Sequence, residues 1–167
     1  MKILAKNIQK IVLIFLFCTL NAQAFFPGEK YEYDVYYKFI RIGHAYMETS
    51  KEIDIIEGQE SYHVTYKFRT TDVGDRIYKV RDQLELWINK DTLQLIRQKK
   101  TLRERKWKHD SVITMKDNLA MIHGIKEEKK YYKEREAPDF FYNPYSMILI
   151  LRNFEIEEGD FMKFVTF

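Results

Sequence analysis

Apolar and polar positions alternate with period two along most of the chain. From Lys30 to Phe39, Tyr31, Tyr33, Val35, Tyr37 and Phe39 fall on one side and Glu32, Asp34, Tyr36 and Lys38 on the other, the pattern of a half-buried strand. Arg41-Ile42-Gly43 is the candidate turn, and His44 to Ile55 the return strand, with Ala45, Met47 and Thr49 on one side. After Glu57-Gly58-Gln59-Glu60, Ser61 to Thr70 is the clearest strand, setting Tyr62, Val64, Tyr66 and Phe68 against His63, Thr65, Lys67 and Arg69. Asp72-Val73-Gly74-Asp75 breaks it. Ile77 to Asn89 is extended, with Leu84, Leu86 and Ile88 inward and Glu85 and Trp87 outward. Beyond the turn Asn89-Lys90-Asp91-Thr92 come Leu93 to Leu102, Lys106 to Met115 and Leu119 to His123. Strands returning about every ten residues across short polar turns favour an antiparallel meander. Lys126 to Glu136 mixes charges without a period and reads as a solvated hairpin tip or loop.

One stretch departs from period two. Asn143 can cap free backbone donors with its side chain, and Pro144 suits the first helical position. At 100° per residue Ser146 and Asn153 form a narrow polar stripe, while Tyr145, Met147, Ile148, Ile150, Leu151 and Phe154 cover most of the remaining circumference. A helix from Pro144 to Phe154 is far short of the ~20 residues needed to span a bilayer and too short to stand alone in water. It must dock, as an apolar plug on a curved sheet. The pattern therefore predicts a mainly β fold: a curved antiparallel sheet, as a β-roll or open barrel, with one short helix in its C-terminal half packed against it. Phe161 to Phe167 reads as a further strand. Ending on an aromatic strand would leave an unpaired edge, so the expectation is a single β-rich domain over residues 25–167 that lacks its C-terminal strands.

Composition changes this picture at the N-terminus. Lys2, Lys6 and Lys10 precede an apolar run from Ile11 to Leu20, and Ala22-Gln23-Ala24 supplies small residues for cleavage. Residues 1–24 thus have the form of a signal peptide, which places the protein in the periplasm or outer envelope, with no transmembrane segment once the signal is removed. Cys18, the sole cysteine, lies in the apolar run, which leaves the remainder without disulfides or thiolate ligands. Without the three lysines of the leader the 28 basic side chains fall to 25, matching the 25 acidic ones. The basic balance belongs to the leader and argues against nucleic acid as a partner.

Candidate chemistry is sparse. His44, His63, His109 and His123 sit alone in strand-like segments, without the spacing of a metal site, and no nucleophile elbow or phosphate-binding loop appears. Glu32/Asp34 and Glu52/Asp54 each share a strand face, a spacing typical of solvated surface. Neither a cofactor nor a catalytic residue is assigned. Arg97 to Lys108 carries seven basic residues and one acid around Trp107, either the wet face of a hairpin or a patch for anionic lipid heads or glycan. Twelve Tyr and twelve Phe can fill a core or line an apolar pocket at the mouth of the sheet. The candidate ligand-binding residues are Tyr33, Tyr37, Tyr62, Tyr66 and Phe68. Arg152 joins them, either as a cation for an anionic ligand group or as a side chain reaching water at the helix end.

Three stretches together carry a family resemblance: Phe26-Pro27-Gly28-Glu29-Lys30-Tyr31-Glu32-Tyr33-Asp34-Val35-Tyr36-Tyr37, then Gly43-His44-Ala45, then Asn143-Pro144-Tyr145-Ser146 through Leu151-Arg152 to Gly159-Asp160. Val80 to Ile88 and Asp91-Thr92-Leu93 fit as well. From Phe25 onward the chain resembles the bacterial envelope family catalogued as domain of unknown function 3108. The resemblance implies an export signal, a curled antiparallel sheet or roll, further strands after the Gly-Asp turn, and no assigned catalytic residues. Where that family commonly has Asp-Pro at the helix start, this chain has Asn143-Pro144. The leading expectation is a non-catalytic envelope protein that binds or carries a lipid or other apolar ligand. The alternatives are an assembly factor that pairs with another envelope protein through a sheet edge, and a hydrolase of envelope polymers.

Overall fold

Period-two alternation becomes eight strands, each paired with its neighbours in sequence: β1 (Lys30–Tyr37), β2 (Ile40–Ile56), β3 (Gln59–Thr70), β4 (Arg81–Asn89), β5 (Leu95–Glu104), β6 (Trp107–Lys116), β7 (Leu119–Lys126) and β8 (Lys129–Glu136). Every strand pairing is antiparallel, and among the described residues the sheet is curved and unclosed, with β1 and β8 as its edges. The computed structural model describes residues 27–151, 157–161 and 163–166. The leader over residues 1–24, Arg152 and Phe154 lie outside the described residues.

Two-residue turns set most of the register. Glu57-Gly58, Asp117-Asn118 and Glu127-Glu128 all have positive φ at both positions, the backbone twist that matches the right-handed twist of the flanking strands. The first turn falls at Lys38-Phe39, not at Arg41-Ile42-Gly43. Lys38 takes the left-handed conformation, and a bulge between Val35 and Tyr36 restores the pairing. Gly43 serves a close approach instead. A Cβ there would lie 2.9 Å from the Phe68 ring, which packs against the bare backbone.

The interruption at Asp72 to Asp75 is filled by a helix, α1 (Asp72–Tyr78). The Thr71 hydroxyl accepts from the Gly74 N–H at 3.2 Å. Two acids, Asp72 and Asp75, occupy the positive end of the helix. Seven residues are too few to show a helical repeat, so the sequence reads there as a simple break. Arg81 fastens α1 to β4 with two bonds to Asp75, at 2.9 and 2.7 Å.

A further correction concerns Lys126 to Glu136. The hairpin tip is there, but only at Glu127-Glu128; Lys126 finishes β7 and Lys129 to Glu136 form β8 rather than a loop. As an edge strand β8 buries little and keeps its charges in water, so no apolar period marks it. Phe161 to Phe167, conversely, is not a strand among its described residues. They make one parallel bridge, Thr166 to Tyr142, with the Tyr142 N–H donating to the Val165 carbonyl at 2.8 Å, and Phe161 stands almost fully in solvent.

The core lies on one face of the sheet. Met47, Tyr62, Val64, Leu84, Leu86, Ile88 and Leu95 meet Phe141, Leu149 and Ile150 from the segment after β8. That segment ends in α2 (Met147–Ile150), shorter among the described residues than the helix predicted from Pro144 to Phe154. Full burial of Leu149 and Ile150 contributes roughly 1.5–3 kcal/mol each. The plug is fixed by polar contacts as well. Asn143 Oδ1 accepts from the Tyr145 N–H at 2.9 Å while its amide donates to Gln98 Oε1 on β5 at 3.0 Å, both side chains being buried. Ser146 is not on a wet stripe: it is buried, its hydroxyl donating to the Asn143 carbonyl at 2.9 Å, and Tyr145 is half-exposed.

Candidate functional site

The inner face is only partly covered by the plug, and its open part follows from register. Tyr33, Ala45, Phe68 and Asp82 are cross-strand neighbours in one row; Tyr31, Met47, Tyr66, Leu84 and Lys100 form the next. Leu102 and Glu104 continue the inner face of β5 at two-residue steps. Between these rows and Tyr145 lies a trough of ≈ 420 Å³, whose apolar wall is Ala45, Tyr66, Phe68, Leu84, Leu102 and Tyr145. The Tyr66 hydroxyl donates to the Tyr145 carbonyl at 2.6 Å, so the sheet and the plug are joined at the trough's edge.

Of the charged residues along that trough, Asp82, Lys100 and Glu104 stand on the inner face, whereas Lys67 belongs to the outward row of Tyr46 and Gln83, its Nζ 5.9 Å from the centre of the Tyr46 ring. Asp82 accepts from the Arg103 N–H at 2.9 Å, and Glu104 accepts from the Tyr78 hydroxyl at 3.0 Å. Burial pushes the Asp82 carboxyl above its ordinary range; the bond from Arg103 N opposes the rise, and Glu104 adds to it. Lys100 Nζ sits 5.2 Å from the centre of the Tyr145 ring and 3.4 Å from its hydroxyl, a cation–π placement. The arrangement offers an apolar trough with charged groups spaced along its length.

Of the aromatic residues predicted to bind a ligand, Tyr66 and Phe68 line this trough. Tyr33 continues the Phe68 row but is 51% exposed, on the edge strand. Tyr62 is 6% exposed and packs in the core beneath the plug, and Tyr37, 60% exposed, closes β1 beside the first turn. Sequence reasoning missed Asp82, Lys100, Glu104, Leu102 and Tyr145. The available signal was the two-residue spacing of Lys100, Leu102 and Glu104, hidden within a run read as one basic patch. The strand divides that run between faces. Arg97 pairs with Glu57 at 2.7 Å, Lys99 with Glu85 at 3.4 Å and Arg103 with Asp110 at 2.7 Å, whereas Lys100 lies on the inner face.

Carboxylates and histidines meet at two places on the outer face. Asp34 Oδ1 lies 2.7 Å from His44 Nδ1, with Arg41 on the same carboxylate at 3.3 Å. Asp54 accepts from Trp87 Nε1 at 2.8 Å, and His63 stacks on that indole with ring centres 4.5 Å apart. Among the described residues no serine or threonine hydroxyl is bonded to either imidazole, and no group of three or more His, Asp or Glu is placed to hold a metal ion. No helix among them is long and apolar enough to cross a membrane.

Comparison with known proteins adds one finding. The model of a family described as "Protein of unknown function (DUF3108)" matches residues 32–167. Among curated proteins and among solved structures, nothing matches.

Proposed function

The match spans most of the chain, so the protein belongs to the domain of unknown function 3108 family, and from that premise we propose that it is an exported, non-catalytic protein of the cell envelope that holds a lipid or similar amphipathic molecule. The observation that carries this reading is the trough beside the plug: an apolar wall from Tyr66, Phe68, Leu84, Leu102 and Tyr145, with ionisable groups gathered among it. Ligand sites have this character, mostly apolar with a few placed polar groups. The leader, with its basic start, apolar run and Ala22-Gln23-Ala24, supports export. Native mass spectrometry of protein purified from its own envelope fraction tests the reading. A retained amphiphile, reduced when Phe68→Asp or Leu102→Asp is introduced, is expected. A ligand-free mass together with no lipid uptake in vitro overturns it.

A second reading rests on the difference between the two sheet edges. β8 carries Lys129-Lys130-Tyr131-Tyr132-Lys133-Glu134-Arg135-Glu136, a charged edge of the kind that resists pairing. β1 and its turn instead expose Tyr33, Tyr36, Tyr37 and Phe39, which suits strand addition by another envelope protein. A photo-crosslinker at Tyr36 should trap one dominant partner in cells; a diffuse smear counts against this.

A further inference from the structure

The three charged side chains on the inner face of the trough are arranged along an axis. Lys100 stands in the row of Leu84, beside the plug. Asp82 stands in the row of Phe68, and Glu104 lies at the far end, bridged to Val80. Successive same-face positions are about 7 Å apart along a strand. A cation therefore sits at the plug end, and two carboxylates follow about one and two steps away. The two acids have no cationic side chain pairing with them, and Lys100 has no carboxylate pairing with it, among the described residues. The outer face differs, since its rows are laced by pairs such as Lys30–Glu48 at 2.8 Å and Arg103–Asp110 at 2.7 Å. Each acid is held by a neutral donor, a backbone N–H for Asp82 and a phenol for Glu104, which orients the carboxyl without neutralising it. Asp82 is the one of the three that burial disfavours as an anion, with the Arg103 and Lys100 charges acting on it only through space, and a ligand cation beside it supplies a direct partner.

Building on the amphiphile reading above, we propose that the trough selects amphiphiles whose head carries both a primary ammonium and an anionic ester, the ammonium meeting Asp82 and Glu104 and the ester meeting Lys100. The acyl part then lies along Phe68, Leu84 and Leu102. Both carboxyls are acceptors with capacity left after one bond each, and an ammonium brings three donors. Phosphoethanolamine heads have this chemistry; phosphoglycerol heads have the anion alone.

Isothermal titration of the protein purified from its own envelope fraction with dihexanoyl phosphatidylethanolamine and dihexanoyl phosphatidylglycerol separates the possibilities. The expected result is tighter binding of the ethanolamine lipid by about tenfold or more, the size of one charge-assisted hydrogen bond. Asp82→Asn with Glu104→Gln should reduce that preference to within about twofold, since both replacements keep the acceptors used by Arg103 N and the Tyr78 hydroxyl. Lys100→Gln should weaken both lipids to a similar extent. Equal or reversed preference, or a preference that survives the double substitution, overturns the head assignment and leaves the amphiphile reading in place. Absence of binding by either lipid overturns both.

Discussion

Asp75 is the residue through which α1 is locked to the sheet. The Arg81 guanidinium and the Thr70 hydroxyl hold its carboxyl below the usual aspartate range. Arg103 does the same for Asp110, and Lys30 with Tyr46 for Glu48. Each of these folded-state groups binds a proton less tightly than its unfolded counterpart. Their contribution is therefore fully present above the unfolded carboxylate value and is lost as pH falls through the lowered one. Urea denaturation across a pH series should show stability declining through the acidic range. Asp75→Asn should lower stability at neutral pH and remove part of that acid slope. An unchanged slope would mean that α1 is held by the Thr71 N–H bond to the Ile42 carbonyl, at 2.9 Å, and the close approach of Gly74 to that carbonyl rather than by this ion pair.

At the scale of elements, the plug and the turns give separate tests. Asn143→Ala deletes the cap on Tyr145 N and leaves the buried Gln98 amide without its donor, a loss of about 1–3 kcal/mol by chemical denaturation. In the last hairpin, Glu127 and Glu128 both occupy the left-handed region at φ 47° and 70°, where an L-residue pays about 1–2 kcal/mol. Glu128→Gly should therefore raise stability by about 1 kcal/mol, seen as a higher denaturation midpoint at constant slope. These two places also mark what could be seen in advance. The inward set Tyr62, Val64, Leu84, Leu86 and Ile88 was legible because two-sided strands separate apolar from polar positions. Asn143 announced the start of the plug for the same chemical reason that it caps Tyr145. β8 was invisible because an edge strand needs no apolar face, and α1 because it is shorter than two full turns. The polar members of the trough were hidden since Lys100 reads like its basic neighbours until pairing assigns each to a face.

Across the whole molecule, protection should follow depth from the two edges. Among the described residues, β3, β4 and β5 hold most of the buried side chains and have partners on both sides, whereas β1 and β8 have one partner each. Hydrogen exchange should find the slowest amides in β3 to β5 and the fastest strand amides in β1 and β8; uniform protection would indicate that the edges are covered by something bound. The order β1 to β8 also has a temporal meaning. Because each ribbon partner is the next one made, the sheet can zip together by short loop closures as the chain is delivered. The helical segment that caps the greasy side is synthesised after all eight. Until it arrives, the nascent protein presents a naked apolar surface. The docking of Phe141, Leu149 and Ile150 is thus the step that takes this surface out of reach of aggregation.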